Sequence, residues 1–281
     1  MDLNIYEVGP RDGLQNSKFR LTTDEKISMI KQLSRAGLQN IEVVSFVHPK
    51  IMPHMSDAEK VFRETREFGN FGALVPNLRG FDRAKAVKVE HFNVFFSPSD
   101  EFNLRNLGRT LDGAYPNIKN MLESENRENI RAYISCAFGC PFEGAPKEHK
   151  LQEVMRKAEK IAGNIVLCDT IGVSHPSRMV RTLELTRGLD ANIALHLHKR
   201  KNGDTNIFSN VQTALEWGIS DFDSSIAGLG GCPFIPESGN NLSTNRLINW
   251  AHNNGYETGI DLADLSDLTD FLLQKERGMI V

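Results

Sequence analysis

Hydrophobic residues along this chain follow two alternating spacings. Residues 41–46 form a short run rich in β-branched and aromatic side chains, which is typical of a buried strand. Residues 27–38 instead carry isoleucine and leucine at the three- and four-residue intervals of an amphipathic helix. The two patterns succeed each other, so the chain predicts a repeated strand–helix unit. The eight predicted strands are residues 3–8, 41–46, 71–75, 91–96, 130–138, 165–168, 193–198 and 222–226.

Helices are predicted between these strands and after the last of them. The first is expected to begin at Thr22-Thr23-Asp24-Glu25, a typical capping sequence, and to end near Gly37. Residues 98–106 are polar and are predicted to form a loop. The other predicted helices are residues 56–68, 81–87, 111–129, 147–162, 177–189, 207–217, 242–253 and 262–277.

Eight strands alternating with helices predict an α/β fold with a parallel sheet. Its simplest form is a closed (β/α)8 TIM barrel, here with a C-terminal helical extension. An open doubly wound sheet is the alternative, but the glycine fingerprint expected after its first strand is absent. With 281 residues, of which 40% are hydrophobic, the chain can bury one large core, so a single barrel domain over residues 1–281 is expected.

Composition narrows the choice of partners and location. The net charge of -3 comes from 33 basic and 36 acidic residues and indicates neither a nucleic acid nor a membrane partner. The first residues lack the pattern of a targeting peptide, and no apolar run has the length of a bilayer span. The four cysteines do not form zinc-finger pairs, and a disulfide framework is not expected. A cytoplasmic location is the simplest expectation.

Polar residues stand at the carboxyl ends of several predicted strands, where TIM barrels place their active sites. Arg11 and Asp12 follow the first strand, between Gly9-Pro10 and Gly13. An adjacent Arg-Asp pair alone is more often a solvated surface pair. The flanking glycines and proline nevertheless predict a strand that stops abruptly and presents both charges. Other polar residues at such ends are Glu42, Ser45, Ser97, Ser99, Asp169, Thr170, His196, His198, Asn240 and Asn241.

His196-Leu197-His198 is the clearest local signal for a metal. Alternation along a strand places both imidazoles on one face. Two histidines satisfied by hydrogen bonds are an equally compatible interpretation. With a carboxylate such as Asp12 and an amide such as Asn241, they would form a mixed nitrogen and oxygen site. Such a set suits Mg²⁺ or Mn²⁺ better than tetrahedral zinc.

Cys232 follows three glycines in residues 228–233, a loop able to close over a site. A positioned thiol can act as a general acid or base, although a packing role is more usual for a cysteine. Cys136, Cys140 and Cys168 are assigned to packing. Cys136 and Cys168 lie in predicted strands, and no partner is expected for Cys140.

Taken together, these motifs resemble the 3-hydroxy-3-methylglutaryl-CoA lyase family of barrel metallolyases. The resemblance runs in order along nearly the whole chain. Its long, specific elements are Val8-Gly9-Pro10-Arg11-Asp12-Gly13-Leu14-Gln15-Asn16 and the glycine-rich cysteine segment. The matching stretches are residues 8–16, 41–42, 45–47, 49–50, 139–144, 169–172, 196–198, 223–234 and 258–259.

The resemblance implies a metal-dependent carbon–carbon lyase that splits 3-hydroxy-3-methylglutaryl-CoA into acetoacetate and acetyl-CoA, as in leucine degradation. It implies an acyl-CoA substrate and, by analogy, a homodimer. The implied ligands of Mg²⁺ or Mn²⁺ are Asp12, His196, His198 and Asn241, with Asn240 as the second choice. The implied catalytic residues are Arg11, Asp12, Glu42, His196 and Cys232. The implied substrate contacts are Arg11, Gln15, Ser45, Asp169 and Thr170.

One departure from the family pattern leaves the substrate open. After His198 the chain reads Lys199-Arg200-Lys201-Asn202-Gly203-Asp204-Thr205-Asn206, which is longer and more basic than the family pattern. This loop could contact a CoA phosphate or an extra carboxylate, or it could simply be solvated. The alternatives are a lyase for another branched 3-hydroxyacyl-CoA, an aldolase-like enzyme for a 2-keto acid, or a non-enzymatic binding module.

Overall fold

The computed structural model describes residues 2–15, 17–200, 207–231 and 238–280. Within those ranges, strands and α-helices alternate along the chain. The strands are β1 (Asn4–Glu7), β2 (Asn40–Ser45), β3 (Asn70–Leu74), β4 (His91–Phe96), β5 (Ile130–Ile134), β6 (Asn164–Asp169), β7 (Asn192–Arg200), β8 (Asp221–Ser224) and β9 (Ser238–Asn241). The helices are α1 (Thr23–Arg35), α2 (Ala58–Thr65), α3 (Leu78–Ala86), α4 (Asp100–Leu107), α5 (Leu111–Leu122), α6 (Glu148–Glu159), α7 (Pro176–Glu184), α8 (Ile207–Glu216), α9 (Thr244–Asn253) and α10 (Ser266–Glu276).

Strands β1 to β8 form a closed parallel barrel. Each pairs with its neighbour in sequence, and β8 returns to pair with β1 from Asn4↔Asp221 to Glu7↔Ser224. Helices flank the strands, and α10 follows as the C-terminal helix. The predicted (β/α)8 TIM barrel with a C-terminal helical extension is therefore confirmed. Within the described ranges, no helix combines the length and the apolar character needed to cross a membrane.

The main hydrophobic core packs strand and helix side chains together. Phe46, Phe92 and Phe222 are among its largest fully buried side chains. Helix α1 contributes the apolar face that its spacing predicts. It begins at the predicted capping box, because the Thr22 hydroxyl accepts from the Glu25 N–H and the Glu25 carboxylate accepts from the Thr22 N–H.

A polar network links side chains from several barrel strands. Asn93 of β4 donates to Glu42 of β2 at 2.7 Å and to the Tyr6 hydroxyl of β1 at 3.1 Å. Arg131 of β5 donates to Asp223 of β8 at 2.6 Å and lies over the Tyr6 ring. All five side chains are largely or fully buried, so each polar group depends on the others for its partners. Through Glu42 and Asp223, this network connects to the polar residues predicted at the carboxyl ends of the strands.

The hydrophobic pattern failed to predict two elements. Residues 98–106 were expected to be a loop, yet they contain α4, whose start is capped by the Ser99 hydroxyl. Hydrogen bonds between Asn103 and the Ser97 backbone hold this helix in place of a broad apolar stripe. Strand β9 pairs antiparallel with β7. Its sequence, Ser-Gly-Asn-Asn, has no hydrophobic residue that would predict a strand.

Strand β5 is also shorter than predicted. It ends at Ile134, and the chain turns through Cys136, which has a φ of 61°. A left-handed backbone is uncommon for a residue other than glycine, so the local pattern gave no sign of this turn.

Candidate active site

The Arg11-Asp12 pair lies on a tight turn, Gly9–Gly13, directly after β1. The Val8 carbonyl accepts from the N–H groups of Arg11, Asp12 and Gly13, which draws the chain into one coil. Gly9 is required by space, because a Cβ there would lie 2.5 Å from a Glu7 carboxylate oxygen. The turn presents both charged side chains at the barrel mouth, as the flanking glycines and proline predict.

Arg11 is held between two carboxylates. Its guanidinium donates through Nε to Glu42 at 2.5 Å and through Nη1 to Asp12 at 2.7 Å, and a second nitrogen also contacts Glu42. Burial opposes the charge on Arg11, but Glu42 and Asp12 outweigh it and raise the pKa of the guanidinium. Burial also raises the pKa of Glu42 despite this contact. Arg11 is thus a fixed positive charge with a defined orientation.

His196 and His198 lie on one face of β7, with ring centroids 4.9 Å apart. His196 Nδ1 is 3.1 Å from a carboxylate oxygen of Asp223, and His198 Nδ1 is 3.0 Å from the Asp169 carbonyl oxygen. A carbonyl can only accept, so His198 must carry its proton on Nδ1. The carboxylate of Asp223 favours the same tautomer in His196. In both rings Nε2 then offers its lone pair to the site.

Asn241 completes the group from the far end of the chain. Strand β9 sets it opposite His198, and its amide nitrogen donates to Asp12 at 2.8 Å and to the Leu229 carbonyl at 2.8 Å. Its Oδ1 and the Nε2 of His198 are buried and lack hydrogen-bond partners within the described part of the chain. Asn240, the second choice from the sequence, is exposed.

These residues fit a divalent cation. Ligand atoms of Asp12, His196 and His198 all lie within 4.8 Å of one another. Buried acceptors without donors are costly unless another group satisfies them, and the two orphaned atoms of His198 and Asn241 are both typical metal ligands. The structure therefore contains a candidate metal centre made of two imidazoles, a carboxylate and an amide oxygen.

The charge states of Asp12 and His198 in the free site suit such a centre, whereas at His196 a metal would compete with a proton. Burial opposes ionisation of Asp12, but the Arg11 guanidinium outweighs it and lowers the pKa of the carboxyl. Burial lowers the pKa of His198 to about 4, so that imidazole is neutral. Burial acts the same way on His196, but its hydrogen bond to Asp223 prevails and raises its pKa.

A cavity of about 440 Å³ opens above these residues. Arg11, Asp12, His196 and His198 line it, so the structure brings these four predicted residues to one pocket. The predicted substrate contacts Gln15 and Thr170 line it as well. Apolar side chains, including Phe95, Phe102 and Met52, form much of the remaining wall.

Three predicted residues occupy other positions. Glu42 lies behind Arg11 and is fully buried. The Ser45 hydroxyl accepts from the Val47 N–H, and the Asp169 carboxylate accepts from Ser174 and from the Val173 N–H. None of these three side chains lines the 440 Å³ cavity. A direct substrate contact by Ser45 or Asp169 stays a prediction.

Two predictions fall largely on residues that the structure does not describe. Cys232 lies outside the described residues, as do residues 201–206 of the basic loop. Lys199, at the start of that loop, lines a separate cavity of about 260 Å³ with Asn240 and Arg246.

Asp223 has a role in the site that sequence reasoning missed. Asp223 bridges Arg131, at 2.6 Å, and His196, at 3.1 Å, and is almost fully buried. The only signal in the sequence was an acidic residue in the middle of a predicted strand. Cys140, assigned to packing without a partner, is a free cysteine in the structure, and its sulfur lies 3.1 Å from the Ser99 hydroxyl oxygen.

The chain is similar to hydroxymethylglutaryl-CoA lyases. A family model described as HMGL-like matches residues 2–272. Mitochondrial hydroxymethylglutaryl-CoA lyase of Rattus norvegicus is 37% identical over 97% of this chain and 85% of its own length. Cytoplasmic 3-hydroxy-3-methylglutaryl-CoA lyase of Mus musculus is 36% identical over 96% of this chain and 80% of its own length. An HMG-CoA lyase of Acinetobacter baumannii, solved with coenzyme A and 3-methylmalate, superposes with a TM-score of 0.90 at 33% identity, covering 98% of this chain and 92% of that one.

Proposed function

The chain belongs to the HMGL-like family, and from that premise we propose that it is a carbon–carbon lyase that cleaves 3-hydroxy-3-methylglutaryl-CoA to acetoacetate and acetyl-CoA. The observation that carries the proposal is the convergence of Arg11 and the candidate metal centre on one cavity. The reaction is a retro-Claisen cleavage, in which a tertiary alcohol loses its proton and the adjacent carbon–carbon bond breaks. The electrons of that bond move onto the thioester, which leaves as an enolate.

The cation would be held by Asp12, His196, His198 and Asn241, and Mg²⁺ or Mn²⁺ suits this mixed donor set. When bound, such an ion would lower the pKa of the substrate alcohol and orient the substrate carboxylate. Hydrogen bonds hold these ligand side chains in place before an ion binds. Asp223 and the Asp169 carbonyl fix the two imidazoles, and Leu229 fixes the Asn241 amide.

Arg11 stabilises the negative charge that develops on the thioester oxygen. Its guanidinium remains protonated, and Glu42 and Asp12 hold it in one orientation before substrate arrives. Because Asn93 in turn holds Glu42, the orientation of Arg11 is fixed by the barrel strands. Glu42 is therefore a positioning residue for Arg11.

We propose that the Asp12 carboxylate is the base that accepts the proton of the substrate hydroxyl. His196 is the other candidate, but its Nδ1 is directed at Asp223, which leaves only the Nε2 that faces the metal centre. Asp12 Oδ1 accepts from Arg11 at 2.7 Å and from Gln15 at 3.3 Å, whereas Oδ2 accepts only from Asn241 at 2.8 Å, so Oδ2 is the oxygen with a lone pair for the proton. Its lowered pKa keeps the Asp12 carboxyl ionised, so the group is unprotonated before the substrate arrives.

Cys232 is proposed to protonate the acetyl-CoA enolate, as the family resemblance implies. The Acinetobacter baumannii relative was solved with coenzyme A, which supports an acyl-CoA substrate for this chain. We further propose that residues 1–281 act as one lyase domain, that the enzyme works in the cytoplasm as its mouse relative is named to do, and that it is a homodimer.

A product assay tests the proposal. The purified chain is loaded with Mg²⁺ or Mn²⁺ and incubated with 3-hydroxy-3-methylglutaryl-CoA, and acetoacetate and acetyl-CoA are quantified. Equal amounts of both products, lost on chelation and restored by the metal, are expected. Parallel reactions contain other branched 3-hydroxyacyl-CoA esters and 2-keto acids that carry a hydroxyl. Faster cleavage of one of these would reassign the substrate, and no cleavage of any would favour a non-enzymatic barrel.

A further inference from the structure

Two cysteine side chains outside the proposed metal centre contact each other. Cys136 lies in the turn after β5, and Cys140 lies in a short hairpin closed by backbone hydrogen bonds to Gly144 of 2.7 and 3.0 Å. Both side chains are buried and belong to one small cluster with Phe102. A left-handed backbone at Cys136, with φ of 61°, belongs to the same turn. Such backbone conformations cost energy and often mark functional positions.

The surroundings of Cys140 favour its thiolate. Its sulfur lies 3.1 Å from the Ser99 hydroxyl oxygen and accepts from the Phe142 N–H at 3.4 Å, and the Glu143 N–H also points to it. Hydrogen bonds to Cys136 and to these donors lower the pKa of the Cys140 thiol. The Cys136 thiol shifts the other way, because its hydrogen bond to Cys140 and its burial raise its pKa. A thiol that attacks a disulfide has a low pKa, whereas the thiol that later resolves the mixed disulfide does not need one.

Cys136 and Cys140 both line a cavity of about 240 Å³. Its rim carries the exposed residues Lys147 and Lys150, with Glu143 beside them. Lys150 lies 3.9 Å from Asp100, so the Lys147 ammonium group is the charge that favours the approach of an anionic reagent. A small molecule entering from this rim therefore has access to Cys140.

We propose that Cys136 and Cys140 form a redox-active dithiol, which a low-molecular-weight anionic disulfide of the glutathione class oxidises to an intramolecular disulfide. The Cys140 thiolate attacks one sulfur of the small disulfide, expels a thiolate and forms a mixed disulfide. The Cys136 thiol then loses its proton and attacks the Cys140 sulfur, which expels the second small thiolate. Two protein thiols are oxidised, and one disulfide is reduced to two thiols that carry away both protons.

The site lies behind the wall of the 440 Å³ cavity. The Cys136 N–H donates to the Thr170 hydroxyl at 2.7 Å, and Thr170 and Ser135 both line that cavity. The proposal itself does not depend on which acyl-CoA the enzyme cleaves, because the state of the thiols can be read without measuring turnover.

Peptide mapping tests the proposal cleanly, because trypsin releases both cysteines on one peptide, residues 132–147, and Cys168 and Cys232 on two others. Native enzyme is equilibrated with glutathione and glutathione disulfide, quenched with acid, alkylated and digested. We expect peptide 132–147 to lose both alkyl labels and to weigh two hydrogen atoms less than its unlabelled reduced form. In C136S, a glutathione adduct should accumulate on Cys140, and in C140S, Cys136 should remain fully alkylated.

Cys168 is the matched internal control. It also faces a cavity, but burial raises the pKa of its thiol, and its sulfur contacts only the Val166 carbonyl among the hydrogen bonds of the described residues. It should stay alkylated throughout, and this selectivity should disappear when the chain is first unfolded in urea. Full alkylation of peptide 132–147 in the oxidised native enzyme would overturn the proposal. So would a Cys140 adduct in the wild-type enzyme that never resolves, or a link from Cys140 to Cys232.

Discussion

At the scale of single residues, Arg11 acts through its shape as well as its charge. Its guanidinium contacts Glu42 through two nitrogens and Asp12 through a third. Lysine keeps the charge but cannot make this forked set of contacts. We expect R11K to lower kcat by about 10²- to 10³-fold with little change in KM, since the contact strengthens only as the enolate forms.

Steady-state kinetics on the CoA thioester measure this effect. The control is R83K, because Arg83 pairs with Glu59 between two outer helices at 2.7 Å and should leave kcat unchanged. Wild-type turnover in R11K would remove Arg11 from the chemistry.

Asp223 sets the tautomer of His196 while its other oxygen accepts from Arg131. In D223N the amide oxygen can still accept from Arg131, but the amide nitrogen then faces His196 Nδ1 as a donor. The imidazole must move its proton to Nε2, the atom aimed at the metal centre. Losses of about 10- to 100-fold in metal affinity are typical when such a partner is changed.

Titration calorimetry with Mn²⁺ should show that loss in D223N and unchanged affinity in the control D221N. Asp221 is on the same strand but bonds Asn4 and Ser220 instead. Equal affinities in both variants would mean that Asp223 does not orient the ligand.

How far the residues of the site can be predicted depends on how local their geometry is. The alternation of side chains along one strand predicts that His196 and His198 share a face. A single turn after the first strand predicts that Arg11 and Asp12 lie side by side. Asp223 and the Cys136–Cys140 contact could not be predicted in this way, because each depends on a partner that only the folded chain supplies. The missed residues are thus those that act through another residue.

At the scale of elements, the turn Gly9–Gly13 is the most demanding. A Cβ on Gly9 would come within 2.5 Å of a Glu7 oxygen and 2.8 Å of the Ile226 side chain. We expect G9A to destabilise the protein by about 1–3 kcal/mol through overpacking, and to lower turnover because Arg11 and Asp12 share the turn. Chemical denaturation and the product assay measure the two effects.

The control for this variant is G113A, in helix α5, where a Cβ would meet its nearest atom at an ordinary 3.5 Å. Alanine in a helix interior is expected to stabilise by about 0.5–1 kcal/mol relative to glycine. A G9A protein as stable and as active as wild type would show that the turn tolerates a side chain.

The elements that hydrophobic spacing predicted are those that bury apolar surface. The eight barrel strands and most helices do so, and their order in sequence is enough to indicate the barrel. Helix α4 and strand β9 were missed because hydrogen bonds to other parts of the chain hold them. Strand β9 matters most here, since its pairing with β7 brings Asn241 to Asp12.

At the scale of the whole molecule, Glu7 ties the first strand to the end of the barrel. Its carboxyl accepts from the N–H groups of Gly9 and Ile226 and from the Thr244 hydroxyl. Burial outweighs these bonds and raises its pKa from 4.5 to about 7. The folded protein therefore holds this proton more tightly than the unfolded chain does.

The protonated Glu7 carboxyl should contribute to the free energy of unfolding. This contribution should be complete below about pH 4.5 and should be lost as the pH rises through about 7. The shift corresponds to about 3 kcal/mol. In E7Q, which copies the protonated form, this part of the pH dependence should vanish. Denaturant unfolding from pH 5 to 8 measures it, and E64Q, on an exposed face of α2, should keep the wild-type slope. Parallel curves for E7Q and wild type would contradict the assignment.

The whole account depends on one cation held between residues from the two ends of the chain, with Asp12 and Asn241 229 positions apart. The most direct measurement is anomalous diffraction from a crystal of the protein soaked in Mn²⁺. The account predicts one strong peak within bonding distance of an Asp12 oxygen, Nε2 of His196, Nε2 of His198 and Oδ1 of Asn241. A Mn²⁺ peak elsewhere, with these four side chains hydrogen-bonded only to each other or to water, would contradict it.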